Sequence, residues 1–250
     1  MQKKKTSTRK TAHNNIGYSG ISIGRWFLKL SLLAIYVIFV YQLWLLFHVL
    51  YWKHNNPQST AFMERQLEIL RADHAGATLH HQWIPYQHIS DEIKRAVVAA
   101  EDSQFLQHSG FDYDAIWNAF QKNLAQGGIT AGGSTISQQL AKNLFLSDNK
   151  SFLRKAQEAM ITVMLEQVMS KQRILEIYLN VIEWGNGVFG VEAAAQHYFS
   201  RSATTLAPHQ AALLAAMIPR PRYYDDNRDS LHLLKKRDIL LKRAHSAKIP

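Results

Sequence analysis

At 250 residues with 47% hydrophobic side chains, the chain is long enough for one domain with a sizeable core plus attachments. The absence of cysteine excludes disulfides, cysteine-ligated zinc and a thiol nucleophile. The formal charge of +10 suggests a nucleic-acid binder until it is counted by position. Residues 1–29 carry seven Lys/Arg and no acid, leaving 22 of the 29 bases against all 19 acids in residues 30–250. The excess belongs mainly to the tail, and no nucleic-acid partner is implied.

Residues 1–24 are basic and polar without apolar periodicity and read as a disordered tail; the whole tail extends over 1–29. Residues 30–50 are apolar except for Ser31, Gln42 and His48, and at about 1.5 Å per residue they reach roughly 30 Å, the thickness of a hydrocarbon core. Trp26, Tyr51 and Trp52 flank the run as interfacial aromatics do, so a membrane helix is expected over 30–52. The positive-inside rule puts the tail in the cytoplasm and everything after Lys53 outside. A cleaved signal peptide fits less well, because the run is too long and no small-x-small site follows.

Residues 53–82 read as a membrane-proximal stalk with a short amphipathic helix bearing Phe62, Leu67 and Leu70. The one domain-sized region, 83–250, begins with an extended stretch around Pro85. Ser90 can cap a helix containing Ile93, Val97 and Ala100. Asp112 can cap another, with Ile116, Phe120 and Leu124 as its buried stripe and Gly127-Gly128 as its end. Ser151 can cap a long helix with Ile161, Met164, Leu165 and Val168 on its apolar side. A helix from Ser170, two alanine-rich helices over 192–199 and 208–218, and a basic helix over 230–247 follow, the last read as a solvated face or one near anionic headgroups. No segment alternates as a strand should, so a mainly α fold is expected.

Two polar clusters interrupt this pattern. The first, 101–110, places Glu101 and Asp102 at the C-terminal end of a helix, where the dipole disfavours negative charge. The second, 132–143, joins a glycine loop to a polar helix on which Gln138 and Lys142 share one face, as do Gln139 and Asn143. Such a surface suits a ligand rich in hydroxyls and phosphates. Arg154, Lys155 and Glu158 form a third group one helical turn long, which on the residues alone reads as an exposed ion-pair ladder.

The order E-D-x-x-F-x-x-H-x-G, then G-G-S-T-I-x-Q-Q-L-x-K-N, then R-K-x-x-E resembles the peptidoglycan glycosyltransferases of glycosyltransferase family 51. Two further stretches, Lys171 to Asn180 and Gly190 to Phe199, continue the resemblance, which covers about 83–222. It implies a lysozyme-like helical glycosyltransferase domain with a small membrane-proximal jaw. It also implies polymerisation of lipid II into glycan strands, with inversion at the anomeric carbon and release of polyprenyl diphosphate. Ser137 stands where most members have threonine, and Glu183-Trp184-Gly185 resembles members that lack a penicillin-binding domain. With the chain ending at Pro250, a monofunctional enzyme without transpeptidase activity is expected.

The residues divide by role in the same way. Glu101 is the candidate base, because a sugar hydroxyl is a poor nucleophile until a carboxylate takes its proton. Lys142, Arg154 and Lys155, with Lys150 from the connecting loop, can stabilise the leaving diphosphate. Glu158, the family's second essential carboxylate, would orient those cations or hold a divalent metal, Mg or Mn, against the diphosphate. The resemblance adds Asp102, Phe105, His108, Ser134, Thr135, Gln138, Gln139 and Asn143 as substrate-binding candidates, with His108 steadying the turn that carries Glu101. No ordered ligand set for a tight metal site appears, and no organic cofactor is expected. Ser147-Asp148-Asn149-Lys150 satisfies S-x-x-K and S-D-N only by overlap, without K-T-G. The expected partners are lipid II, the growing glycan strand and the membrane, with division or elongation machinery as a further class. The expected location is the inner membrane, crossed once, with the catalytic domain periplasmic. A lytic muramidase would use a similar fold but not the cations, and a non-enzymatic scaffold would not need Glu101.

Overall fold

The structure, a computed structural model, describes residues 20–128, 132–146 and 151–250. The first 19 residues of the basic tail, and the 147–150 stretch with Lys150, lie outside the described residues. The chain divides into two compact units, 1–44 and 45–250. Helix α1 (Gly20–Trp52) includes the apolar stretch Gly24–Trp52, 29 residues of mean hydropathy 2.2, long and apolar enough to cross a membrane. Within the larger unit, its last two turns are core: Leu45 and Val49 are fully buried, and Trp52 meets Phe145 with ring centroids 5.1 Å apart. Arg173 donates to the Trp52 carbonyl from Nε (3.0 Å) and Nη2 (2.9 Å), answering carbonyls that a helix end leaves without partners.

Helix α2 (Ala61–Asp73) is capped by Thr60, buries Met63 and Gln66, and packs on α5, so the expected stalk is part of the folded unit. Strand β1 (His80–His81) and a 3-10 turn at Tyr86–His88 lead into α3 (Asp91–Glu101), where Ser90 accepts from the Glu92 amide. Helix α4 (Tyr113–Ala125) starts at Asp112, which accepts from Ala115 N at 2.8 Å, and ends as Gly127 turns to φ +65°. Next come α5 (Ile136–Phe145), α6 (Phe152–Val168) and α7 (Lys171–Val181), the last two capped by Ser151 and Ser170. Strands β2 (Glu183–Gly185) and β3 (Val188–Phe189) precede α8 (Val191–Phe199), α9 (Pro208–Met217), α10 (Pro221–Asp226) and α11 (Leu231–Ala244). The mainly helical, lysozyme-like class is what the elements describe.

Two layers matter for the site. Helix α3 lies against α9 and α11, and α5 lies against α6, α7 and α2. Val97, Leu140, Ile161, Leu165, Ile177 and Leu214 have no exposed surface, so both layers share one continuous core.

Three expectations need correction. The apolar residues of α4 are not a buried stripe: Ile116, Phe120 and Leu124 are 39%, 51% and 65% exposed. Periodicity tells which side chains share a face, not what that face meets. The basic helix α11 is not simply solvated, because Leu233, Leu240 and Ala244 are buried against α3 and α9. A small sheet also exists, of order β1-β3-β2, with β1 parallel and β2 antiparallel to β3. Its strands are two or three residues long, too short for any alternation to register.

Gly190 pins this sheet to α8. Its φ is +81°, and a Cβ there would stand 2.7 Å from the Asn180 carbonyl oxygen. Gly190→Ala is therefore expected to cost about 1–3 kcal/mol of stability. Thermal unfolding in detergent checks this, and an unchanged midpoint would refute the constraint.

Candidate active site

Glu101 is the last residue of α3, and Asp102 leaves the helix in an extended conformation at φ −161°. The Asp102 carboxylate then ties two segments together. Its Oδ2 accepts from Ile136 N (3.0 Å), the first residue of α5, and its Oδ1 accepts from His108 Nε2 (2.9 Å). Because His108 Nδ1 accepts from Gly110 N at 3.1 Å, the ring proton must sit on Nε2, the tautomer that donates to Asp102. A carboxylate at the start of α5 also suits the positive end of that helix. Burial pushes the Asp102 carboxyl above the usual carboxylate range, while His108 and the Ile136 amide hold it down.

Gly110 completes the turn. Its carbonyl accepts from Thr135 Oγ1 at 2.7 Å, its φ is +95°, and a Cβ would come within 2.8 Å of Thr162 Cγ2. Thr135 and Gln138 form a reciprocal capping box on α5 and are buried. These two expected substrate-binding residues therefore spend their side chains on the helix end. Phe105, also expected to bind substrate, is fully buried with Lys171 Nζ 4.5 Å from its ring centroid. Lys171 also pairs with Glu166 at 2.7 Å, and Glu166 bonds Ser137.

With Gln138 turned inward, Gln139, Lys142 and Asn143 remain at the site. Gln139 Nε2 donates to Glu101 Oε2 at 2.9 Å, and Gln139 Oε1 accepts from the Tyr178 hydroxyl at 2.8 Å. Burial raises the Glu101 pKa; the Gln139 amide and the Lys236 ammonium oppose the rise, and Asp102 adds to it. Lys236, on α11, is itself lowered by burial and raised by Glu101.

Two cavities meet at this carboxylate. The first, about 460 Å³, is lined by Glu101, Asp112, Asn118, Lys122, Ser134 and Arg243 among others. The second, about 400 Å³, is lined by Glu101, Ser134, Lys142, Asn143, Phe62 and Pro221 among others. Lys142 Nζ and the Arg222 guanidinium lie 5.7 and 6.0 Å from the Phe62 ring centroid, and Arg222 pairs with Glu183 at 2.7 Å. Gly133 lets the connecting loop pass α4, since a Cβ there would be 2.9 Å from Ile116 Cα.

Glu158 is buried at 3% exposure, not part of an exposed ladder. One of its oxygens takes Arg154 Nη1 at 2.7 Å and the other takes Lys155 Nζ. Both oxygens facing cations make a poor donor set for a divalent ion, and no cluster of three His, Asp or Glu that could hold a metal occurs among the described residues. Among the described residues, Glu158 is thus engaged by two cations rather than by a cluster of further carboxylates.

Lys236, Arg243, Tyr178 and Phe62 were not singled out as site residues by sequence reasoning. A signal existed for three of them: Tyr178 lies in the Lys171 to Asn180 stretch that carries the family resemblance, and Lys236 and Arg243 lie at helical spacing on the same side as buried Leu233 and Leu240.

The pKa of Glu101 has a consequence for stability. Because the folded value is raised, the neutral carboxyl is the form the fold favours; that advantage is full at acid pH and is lost as pH rises through the raised value. Glu101→Gln should therefore unfold at a higher temperature than wild type at neutral pH. The difference should close near pH of about 4. Calorimetry across pH checks this, and a variant less stable at neutral pH would contradict it.

Comparison with known proteins gives the same picture. The sequence profile of the family described as Transglycosylase matches residues 68–245. The chain is 58% identical over 226 residues to a biosynthetic peptidoglycan transglycosylase of Nitrosospira multiformis, covering 90% of this chain and 98% of that protein. It is 54% identical over 228 residues to the protein of the same name from Nitrosomonas eutropha, covering 91% and 93%. For that from Laribacter hongkongensis the figures are 56% over 220 residues, covering 88% and 96%. The chain belongs to the transglycosylase family and is a peptidoglycan glycosyltransferase.

Proposed function

We propose that the chain polymerises lipid II, moving the growing lipid-diphosphate-linked glycan onto the 4-hydroxyl of the incoming unit with inversion and release of polyprenyl diphosphate. The observation that carries this reading is the position of Glu101 on the wall shared by two cavities, one of them holding Lys142. The incoming sugar hydroxyl enters the cavity of Lys122 and Arg243, and Glu101 takes its proton as the new C–O bond forms at the anomeric carbon. On the other side the C–O bond to the diphosphate breaks, and its electron pair leaves onto oxygens facing Lys142. Arg154 and Lys155 are held by Glu158 and are not among the residues that line this cavity, so Lys142 is the cation that meets the leaving group.

A membrane-bound substrate fits the outer surface of the unit. Tyr113, Trp117, Phe120 and Leu124 of α4, and Phe152 and Leu153 at the start of α6, expose large apolar area that water disfavours and a bilayer accepts. With the basic tail cytoplasmic, as the positive-inside rule requires, α1 crosses once and the catalytic unit works in the periplasm. The proposed activity is that of a glycosyltransferase without transpeptidase, as the resemblance of Glu183-Trp184-Gly185 to members lacking a penicillin-binding domain implies.

Incubation of the detergent-purified chain with labelled lipid II should give a ladder of strands that lysozyme digests and penicillin does not affect. Glu101→Gln should lower the rate by about 10²–10⁴-fold with the fold retained, the range for loss of a general base. Lys142→Met should lower kcat/KM by about 10²–10³-fold, as loss of a preorganised charge at the leaving group does. Full activity of Glu101→Gln would refute the mechanism, and release of fragments from finished cell wall without a ladder would favour the lytic alternative.

A further inference from the structure

The base is reached from the core by a chain of two hydrogen bonds. We propose that Tyr178 is a positioning residue for the reaction: its hydroxyl holds the Gln139 side-chain amide with the NH2 group turned to Glu101, and so keeps the base ionised and aimed. The proposal rests on the reading of Glu101 as the base.

Tyr178 has no exposed surface, and its neighbours on α7, Ile174, Leu175, Ile177 and Leu179, have none either, so its ring is held by packing. Its O–H donates to Gln139 Oε1 at 2.8 Å, and Gln139 Nε2 donates to Glu101 Oε2 at 2.9 Å. Burial, and then the charges of Glu101 and Asp102, push the phenol well above its ordinary pKa, so it remains a donor at every working pH.

The need for such a group follows from the reaction cycle. While Glu101 is ionised, its own charge attracts the amide NH2. Once Glu101 has taken the substrate's proton that attraction falls, and the amide could rotate to face the carboxyl with its oxygen. Tyr178 blocks the rotation, because a reversed amide would take the acceptor away from a buried phenol O–H. The base then returns to an environment that already contains its donor.

Other charges around Glu101 are in place in either amide orientation. Asp102 adjoins it, and Lys236 approaches from α11. Asp112, Lys122 and Arg243 line one adjoining cavity, and Lys142 and Glu183 line the other. The Gln139 amide gives its NH2 to Glu101 and its oxygen to Tyr178, and the double variant separates the effect of Tyr178 from those charges.

The test is the pH profile of strand polymerisation from labelled lipid II by the full chain in detergent, measured for Tyr178→Phe, Gln139→Met and the double variant. Tyr178→Phe should lower kcat about tenfold, the worth of one buried hydrogen bond, with KM little changed. The acid limb of kcat/KM should move to higher pH, since a carboxylate that loses a donor is harder to ionise. Gln139→Met should move the limb the same way, and the double variant should be no worse than Gln139→Met alone, because Tyr178 acts only through Gln139. If Tyr178→Phe does not fold, 3-fluorotyrosine at 178 keeps the ring and sharpens the donor, and the limb should move to lower pH. An unmoved limb in the folded variant, or losses that multiply in the double variant, would overturn the proposal. Glu101→Gln in the same assay separates the two claims. If it is active, the base reading falls; if it is inactive while the limb of Tyr178→Phe stays put, only the role of Tyr178 falls.

Discussion

The arrangement depends on one buried carboxylate. Asp102 stands between the end of α3 and the start of α5, and its bond to the Ile136 amide fixes the first turn of the helix whose Gln139 reaches Glu101. Burying a carboxylate is costly unless its oxygens are bonded, and here one takes a helix-terminal amide and the other a histidine whose tautomer is fixed by Gly110. That geometry accounts for the spacing of the first polar cluster. Glu101, Asp102, His108 and Gly110 are one turn closed on itself, and Thr135 locks it to the second cluster. The clusters are far apart in sequence yet form one body.

Around that body, polar groups are buried where the core alone would be better without them. Glu101 lies in surroundings that resist its charge, opposed by Gln139 and Lys236. Glu158 is sunk between two cations, a pairing whose desolvation offsets much of its attraction and which is better explained by holding those cations in place than by stability. Phe62, from a segment that follows the apolar helix, joins the wall of the second cavity between Lys142 and Arg222. Stability is given up at the places where positive charge and a basic carboxylate are needed, as functional sites commonly require.

Much of the fold was legible because helix starts have local chemistry. Ser90, Asp112, Ser151 and Ser170 each cap the helix they precede, as their positions before apolar periodic runs foretell. The core helices α6 and α7 follow from their apolar spacing. Failures came where a local pattern has two environments that satisfy it. The stripe of α4 looks the same whether it meets a core or a bilayer, and the structure leaves it exposed. Lys236 and Arg243 look like surface bases until α11 is seen to pack on α3. In the candidate site, the structure brings the two polar clusters together and divides their side chains in a way that residue types alone do not show. Thr135, Gln138 and Phe105 support the turn and the helix, whereas Gln139 reaches the base directly. Which of two adjacent glutamines caps α5 and which reaches Glu101 depends on the capping box, a pairing that periodicity alone does not resolve.

The central claim is that Glu101 divides a leaving-group cavity beside Lys142 from an acceptor cavity beside Lys122 and Arg243. A structure of the Glu101→Gln variant bound to a non-transferable lipid-diphosphate sugar tests it most directly. The account predicts the diphosphate against Lys142, with the anomeric carbon turned to residue 101 and the other cavity open for the incoming sugar. A diphosphate seated against Lys122 and Arg243, with its sugar on the far side of Glu101, would contradict it.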